Sequence, residues 1–280
     1  MLKSKPELLF HYTNFVALEG ILLGNGIRLC CANEMNDKLE MKHFIQMLEM
    51  AVLKRCETEN RKDLISSAKT IFNEERNERK NEVVYLVSFT EWEDDAAQWE
   101  RYGNGGYGVS VAFDYNALEI IRADDYLMCN EIYYGKNADS HQLVDDIYDV
   151  LKGKFPTTHN FDKKEAVFDN AWGCAASFKN PSFMSEREYR VLTLPTWKGK
   201  RFDKLGDLQT VTVPSQIKKC LYFDWKKRCK EKQIPIATLI KRIVVGPKSP
   251  QNIEDLREWL RNNGLGELSG CVVKSESSLR

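Results

Sequence analysis

Val83-Val84-Tyr85-Leu86-Val87-Ser88-Phe89-Thr90 is the segment that most limits the folds open to this chain. It is too short for a buried helix and rich in β-branched and aromatic side chains. The run therefore predicts a central strand covered on both faces. Such a strand needs partners, and the sequence offers them. Leu8-Leu9-Phe10-His11-Tyr12-Thr13 and Ile27-Arg28-Leu29-Cys30-Cys31 read as extended. The stretch 107–114 alternates apolar and polar residues. Further strands are predicted at 128–134, 188–194, 210–213, 240–245 and 271–274. Helices are predicted after an Asn14 cap, over 36–82, 93–102, 140–152, 163–176, 214–232 and 251–262. Strands and helices do not alternate one for one, so the expected class is α+β rather than doubly wound. No repeat or linker breaks the chain. One domain over 1–280 is expected, with helical insertions at about 36–82 and 137–182.

Location follows from what the sequence lacks. No run approaches the roughly 18 apolar residues of a membrane span. The N-terminal Met1-Leu2-Lys3-Ser4-Lys5-Pro6-Glu7 has no apolar core of a secretory signal. The 8 cysteines form no Cys-x-x-Cys pair and have no His at zinc spacing. Free thiols in a cytoplasmic protein, and no bound metal, are the expectation.

Gly103-Asn104-Gly105-Gly106-Tyr107-Gly108 spells the dinucleotide Gly-x-Gly-x-x-Gly pattern. That motif works when a strand precedes it and a helix follows, so that helix amides face a pyrophosphate. Here the predicted order is helix, glycines, strand. A tight turn is expected and a Rossmann site is rejected.

Three strand ends carry polar clusters in apolar settings. His11-Tyr12-Thr13 closes the first strand, and Ser88 and Thr90 share one face of the central strand. In Ser185-Glu186-Arg187-Glu188-Tyr189-Arg190, strand alternation puts Glu186, Glu188 and Arg190 together. One reading is a solvated edge strand. The other is a carboxylate pair beside an arginine, able to stabilise an oxocarbenium-like transition state. Trp99 and Tyr102, three apart on a helix, share a face suited to stacking on a flat ring.

These clusters occur in a specific order: His11-Tyr12-Thr13, Met35-Asn36-Asp37, Ser88-Phe89-Thr90, Trp99-x-x-Tyr102-Gly103, Glu186-x-Glu188-Tyr189-Arg190, Val244-Val245-Gly246-Pro247-Lys248, Lys274-Ser275. The order resembles an uncharacterised bacterial domain family of unknown function, over nearly the whole chain. Its layout is similar to that of the ADP-ribosyltransferase superfamily. The resemblance implies a split, mixed or antiparallel sheet and an NAD-dependent transferase, of the kind found in toxins or phage-defence effectors. It implies that His11 and Thr13 hold the dinucleotide and that Ser88 and Thr90 orient the site. Arg190 would help to bind the cofactor. Glu188 would stabilise the oxocarbenium as nicotinamide leaves, and Glu186 would orient or deprotonate the acceptor. Trp99, Tyr102 and Tyr107 remain alternatives for the aromatic that stacks on nicotinamide. An NAD hydrolase, an RNA 2′-phosphotransferase and a non-catalytic nucleotide- or partner-binding module are the variants such a fold leaves open. The resemblance also allows for an antitoxin or regulator as partner.

Charge bears on the acceptor. The totals balance at 41 of each sign, which excludes a uniformly basic nucleic-acid binder. The balance is nevertheless uneven along the chain. Residues 91–149 carry 14 acidic and 3 basic side chains, and 198–242 carry 13 basic and 4 acidic. Within the basic stretch, Lys218, Lys219, Lys226, Lys227 and Arg228 surround Trp225. This pattern suits phosphates and stacked bases, so the expected acceptor is a nucleic acid or a protein. The alternative for 214–232 is an amphipathic helix with Leu221 and Trp225 inward.

Overall fold

The computed structural model describes residues 5–32, 40–79, 83–123, 127–136, 138, 141–153, 163–193, 208–213 and 216–279. Met35-Asn36-Asp37 lies outside them. The elements run β1 (Leu8–Thr13), α1 (Phe15–Leu22), β2 (Ile27–Cys31), α2 (Glu40–Thr58), α3 (Asp63–Glu78), β3 (Tyr85–Thr90), α4 (Ala96–Arg101) and β4 (Val109–Asp114). They continue with α5 (Tyr115–Arg122), β5 (Leu127–Glu131), β6 (Tyr133–Tyr134), α6 (Gln142–Leu151), α7 (Lys163–Ala175), β7 (Phe178–Lys179) and β8 (Glu188–Thr193). The last are β9 (Gln209–Val213), β10 (Gln216–Phe223), α8 (Trp225–Glu231), α9 (Ile236–Leu239), β11 (Ile240–Val245), α10 (Ile253–Asn262) and β12 (Val272–Lys274).

The class is mixed, with a sheet of 10 strands that is antiparallel except where β11 meets β12. As the apolar run at 83–90 requires, β3 lies at the centre. One edge pairs along its length with β8, from Leu86↔Leu192 to Thr90↔Glu188. The other edge is shared. β1 meets it only at Phe10↔Thr90, and β2 only at Cys30↔Leu86 and Cys31↔Tyr85. Between those contacts β1 and β2 diverge, and the sheet splits over Val87 to Phe89.

Period-two alternation assigns the two faces of the sheet. Leu9, Val87, Phe89, Val111, Val191, Leu221 and Phe223 point to the main core, which α1, α5, α8, α9 and α10 cover. Asn14 caps α1 by accepting from the Ala17 amide at 2.8 Å, and Leu18, Ile21 and Leu22 seat that helix. On the opposite face Phe10, Tyr12, Trp99, Ala112 and Val244 form one small cluster, and Leu86, Leu192 and Val84 another.

The two helical insertions pack on each other. Phe44, Leu48 and Val52 of α2, Phe72 of α3, Ile147 and Tyr148 of α6, and Phe168 of α7 share a separate hydrophobic cluster with Phe178. The helix expected over 36–82 is two helices, because Asn60 takes a left-handed backbone (φ 55°) between α2 and α3.

The helix expected over 214–232 is a larger departure. Gln216–Phe223 is strand β10, antiparallel to β2 and β9, and only Trp225–Glu231 is helical, as the short α8. Leu221 and Phe223 enter the core while Tyr222 points away from it, which is strand periodicity. Asp224 then caps α8 by accepting from the Lys227 amide. Among the described residues no helix is long and apolar enough to cross a membrane. The eight cysteines are free thiols.

Candidate functional site

The split in the sheet opens into a cleft of about 500 Å³. Its lining includes His11, Thr13, Ser88, Thr90, Tyr102, Glu186, Glu188 and Arg190, which the sequence reading had singled out. Arg28, Cys30, Gln98, Lys179 and Tyr222 join them, together with Ala17, Gly20 and Gly24. Residues from both faces of the sheet contribute, as expected for an opening within the sheet itself.

His11 marks the split. Alternation places it on the core face with Leu9, yet its Nδ1–H donates to the Ser88 carbonyl at 2.9 Å, where no strand partner reaches that oxygen. The bond fixes Nδ1 as the protonated nitrogen. The ring touches the cleft but is surrounded by protein. Burial therefore lowers its pKa, and the hydrogen bond to Ser88 offsets only part of that shift.

The edge-strand reading of 186–190 fails, since β8 is interior, between β3 and β5, and buried throughout. Glu186 also lies just outside the strand. It ends a 3-10 segment, Pro181–Glu186, and Arg187 turns the chain with a left-handed backbone (φ 41°). A non-glycine residue in that region costs roughly 1–2 kcal/mol. Here the Arg187 guanidinium stacks 4.4 Å from the Trp92 ring, and Trp92 Nε1 donates to the Ser185 carbonyl. Thr90 fixes the same turn, its hydroxyl donating to the Glu186 carbonyl at 2.6 Å. The Tyr134 hydroxyl accepts from the Glu188 amide at 2.9 Å.

Both carboxylates are buried and compensated. Lys179 Nζ donates to Glu186 Oε2 at 2.8 Å and to Glu188 Oε2 at 2.9 Å. Arg190 Nε donates to Glu188 Oε1 at 2.7 Å, and its Nη1 to the Ala176 carbonyl. Glu186 Oε1 accepts from Arg101 and from the Tyr102 hydroxyl, at 2.9 and 3.1 Å. Burial alone would raise the Glu188 pKa. The charges of Arg190 and Lys179, with hydrogen bonds from Arg190 and Ser88, outweigh it and hold the carboxyl below the usual range. For Lys179, burial works against the ammonium, but the two carboxylates prevail and its pKa rises. Arg190 thus anchors Glu188 while itself lining the cleft.

The aromatic candidates now separate. Trp99 is 0% exposed, edge-on to Tyr12 at 4.7 Å, with Nε1 donating to Asp94 Oδ1. It cannot stack on a ligand without leaving the core. Tyr107 is exposed but does not line the cleft. Tyr102 is 47% exposed and lines it. Burial of its hydroxyl and the Glu186 charge push its pKa up to about 12, so it stays a donor. The glycines make the expected turn. Gly105 and Gly106 have positive φ, and the Gly246 amide donates to the Gly108 carbonyl.

The expected nucleic-acid face does not form as one surface. Trp225 is 0% exposed and its Nε1 donates to the Ile21 carbonyl, so it stacks on no base. Lys226 is tied to the carbonyls of Leu22 and Gly24, and Arg228 is buried and paired with Glu231. Lys218 and Lys219 are consecutive on β10 and point to opposite sides. Lys227 is exposed on α8. Among the described residues no group of three or more His, Cys, Asp or Glu is placed to hold a metal ion.

Among the cleft residues that sequence reasoning missed, two are charged. Arg28 carried a signal, as a charge inside the apolar strand Ile27-Arg28-Leu29. Lys179 carried a weaker one, as a lone cation after Ala175-Ala176-Ser177-Phe178.

A family described as Protein of unknown function (DUF2971) matches residues 98–191. The matched span includes Trp99-x-x-Tyr102-Gly103 and Glu186-x-Glu188-Tyr189-Arg190, in keeping with a resemblance to an uncharacterised domain, whereas His11 and Ser88 fall before it. No curated protein and no solved structure matches the chain.

Proposed function

We propose that this cleft binds NAD as substrate and breaks its nicotinamide–ribose bond, making the protein an ADP-ribosyltransferase-like enzyme. One observation carries the reading. His11 and Ser88, Tyr102, and the Glu186–Glu188 pair come from distant parts of the chain and line one cleft at a split in the sheet. A cleft of about 500 Å³ is within the usual range for a small-molecule site.

In this reading the exposed ring of Tyr102 stacks on nicotinamide, and His11, Thr13 and Ser88 hold the rest of the dinucleotide. The glycosidic C–N bond breaks with its electron pair leaving on the nicotinamide nitrogen. The ribosyl carbon becomes cationic, and Glu188 supplies the opposing charge. Its carboxylate is ionised at neutral pH, as this role requires. Lys179 shares Glu188 Oε2, so a ribose hydroxyl binding at that oxygen displaces the ammonium toward Glu186, which already accepts from it. Water as acceptor gives a hydrolase. A nucleic acid or protein nucleophile gives a transferase acting as toxin or defence effector.

A second reading is favoured by the ion pairing itself. Each cleft carboxylate already faces cations, which reduces the net negative charge available to an oxocarbenium. This arrangement suits a nucleotide-binding module without turnover. The test is nicotinamide release from NAD, with NAD affinity measured in parallel. The enzyme reading expects release that falls about 100-fold or more in Glu188→Gln while NAD binding persists. Binding without release selects the module, and neither binding nor release ends both.

A further inference from the structure

Among the described residues, Arg28 is a charged side chain in the cleft with no counter-charge. It sits on β2 opposite Tyr222 of β10, with its guanidinium 6.0 Å from the Tyr222 ring. Its Nε is buried and has no hydrogen-bond partner. Among the described residues no carboxylate pairs with it. The two acidic side chains that line the cleft, Glu186 and Glu188, are occupied by Arg101, Lys179 and Arg190. A partly buried guanidinium with an unmet donor is a costly arrangement, and it becomes favourable when an anion accepts from it.

The surroundings leave room for such an anion. Ala17, Gly20 and Gly24, from α1 and the turn after it, line the wall of the cleft, and a Cβ at Gly20 would meet nothing within 4 Å. The turn is held by Lys226, whose ammonium bonds to the Gly24 carbonyl at 2.8 Å and adds positive charge nearby. The location is also separate from the carboxylates. Arg28 and Glu188 stand on strands either side of β3, so their backbones are separated by at least two strand spacings, about 10 Å, and β2 has already left β3 at Arg28.

We propose that Arg28, with Tyr222 and the small-residue wall, is a subsite for the phosphate groups of a nucleoside diphosphate, at the end of the cleft away from Glu188. Combined with the NAD reading, on which the assignment of the rest of the ligand rests, it orients the substrate. The diphosphate lies toward Gly24 and Arg28, and the scissile ribose toward Glu188. Arginine's planar fork matches phosphate oxygens in pairs, which a lysine cannot reproduce.

The experiment is calorimetric titration of the full chain with inorganic pyrophosphate, ADP-ribose and adenosine, for wild type, Arg28→Gln and Arg28→Lys. Thermal melting establishes that the variants are folded. ADP-ribose should bind the wild type at least 10-fold tighter than adenosine, and pyrophosphate binding should weaken as salt rises. Arg28→Gln should lose 10-fold or more toward both phosphate ligands and little toward adenosine, with Arg28→Lys in between. Equal affinity for ADP-ribose and adenosine would overturn the subsite, as would pyrophosphate binding that ignores Arg28→Gln. Its fate is separable from that of the NAD reading. Phosphate binding that depends on Arg28 without nicotinamide release leaves the subsite standing alone. Release with an unchanged KM for NAD in Arg28→Gln removes the subsite and leaves the enzyme.

Discussion

The Lys179 ammonium lies 2.9 Å from the Glu188 carboxylate, both buried, with Glu186 on the ammonium's other side at 2.8 Å. Lys179 is on the short strand β7 at the edge of the helical cluster, and Glu188 begins an interior strand of the sheet. The 3-10 turn over Pro181–Glu186 folds the chain back so that the two meet. This contact joins the helical insertion to the floor of the cleft.

Lys179→Met should therefore be strongly destabilising at pH 7, by about 3–5 kcal/mol, because it leaves buried carboxylates short of a counter-charge. The pH dependence has a defined sign. Glu188 has a lowered folded pKa, so its contribution is full above the usual carboxylate range and is lost as pH falls through the folded value. Lys179 has a raised folded pKa, so its contribution is full below the usual lysine range and is lost as pH rises through the folded value. Urea denaturation should then show a wild-type minus variant gap that is flat from about pH 5 to 9 and narrows at both extremes. A gap under about 1 kcal/mol at pH 7 would mean that the pair is solvated.

His11 should impose a separate, milder pH dependence. Burial keeps it neutral in the fold, whereas the unfolded chain takes up the proton below about pH 6.5. Stability therefore falls as pH drops through that point, by up to about 1.4 kcal/mol per unit. Replacing His11 with Asn should flatten this part of the profile. His141, whose pKa burial also lowers, is present in both proteins and cancels in the difference. Identical wild-type and variant slopes would show that His11 protonates in place.

Gly108 tests the packing of the glycine turn. A Cβ there would sit 2.0 Å from the Thr13 carbonyl oxygen and 2.9 Å from that of Gly103, both backbone atoms. Gly108→Ala should cost about 3 kcal/mol. Gly105 offers the contrast, since its φ of 64° is unfavourable for alanine but nothing lies within 4 Å. Gly105→Ala should cost only about 1 kcal/mol. Chemical denaturation of the two variants should therefore rank them in that order.

The three aromatics should part by phenotype. Tyr102→Ala should weaken NAD binding about 10-fold, in line with a stacking contribution of about 1–1.5 kcal/mol. Tyr107→Ala should leave it within about twofold. Trp99→Ala should instead lower stability by about 3–5 kcal/mol, since it empties a fully buried site. NAD titrations and melting curves would record both effects, and a Tyr107 phenotype equal to that of Tyr102 would contradict the placement.

Local pattern was enough to read much of this protein. The apolar run at 83–90 implied a central strand, and Asn14 implied the start of α1. The helix-then-glycine order at 96–108 excluded a dinucleotide loop. These features depend on neighbours in sequence, through periodicity, capping and backbone freedom. The same logic failed at 216–223, where Lys218 and Lys219 suggested a helix's solvated face. Pairing with β2 and β9 outweighs that local signal, and the core takes Leu221 and Phe223 at strand spacing.

The cleft itself required tertiary structure. His11, Arg28, Ser88, Lys179 and Glu188 are up to 177 positions apart (His11 to Glu188), and each has an unremarkable local explanation. They become a site because β1 and β2 leave β3 at different points, so His11 takes the Ser88 carbonyl that a strand would otherwise have bonded. Which charges are satisfied and which are not depends on distance in space. That is why the pairing of Lys179 with two glutamates, and the lack of a carboxylate for Arg28 among the described residues, could not be read from composition or order.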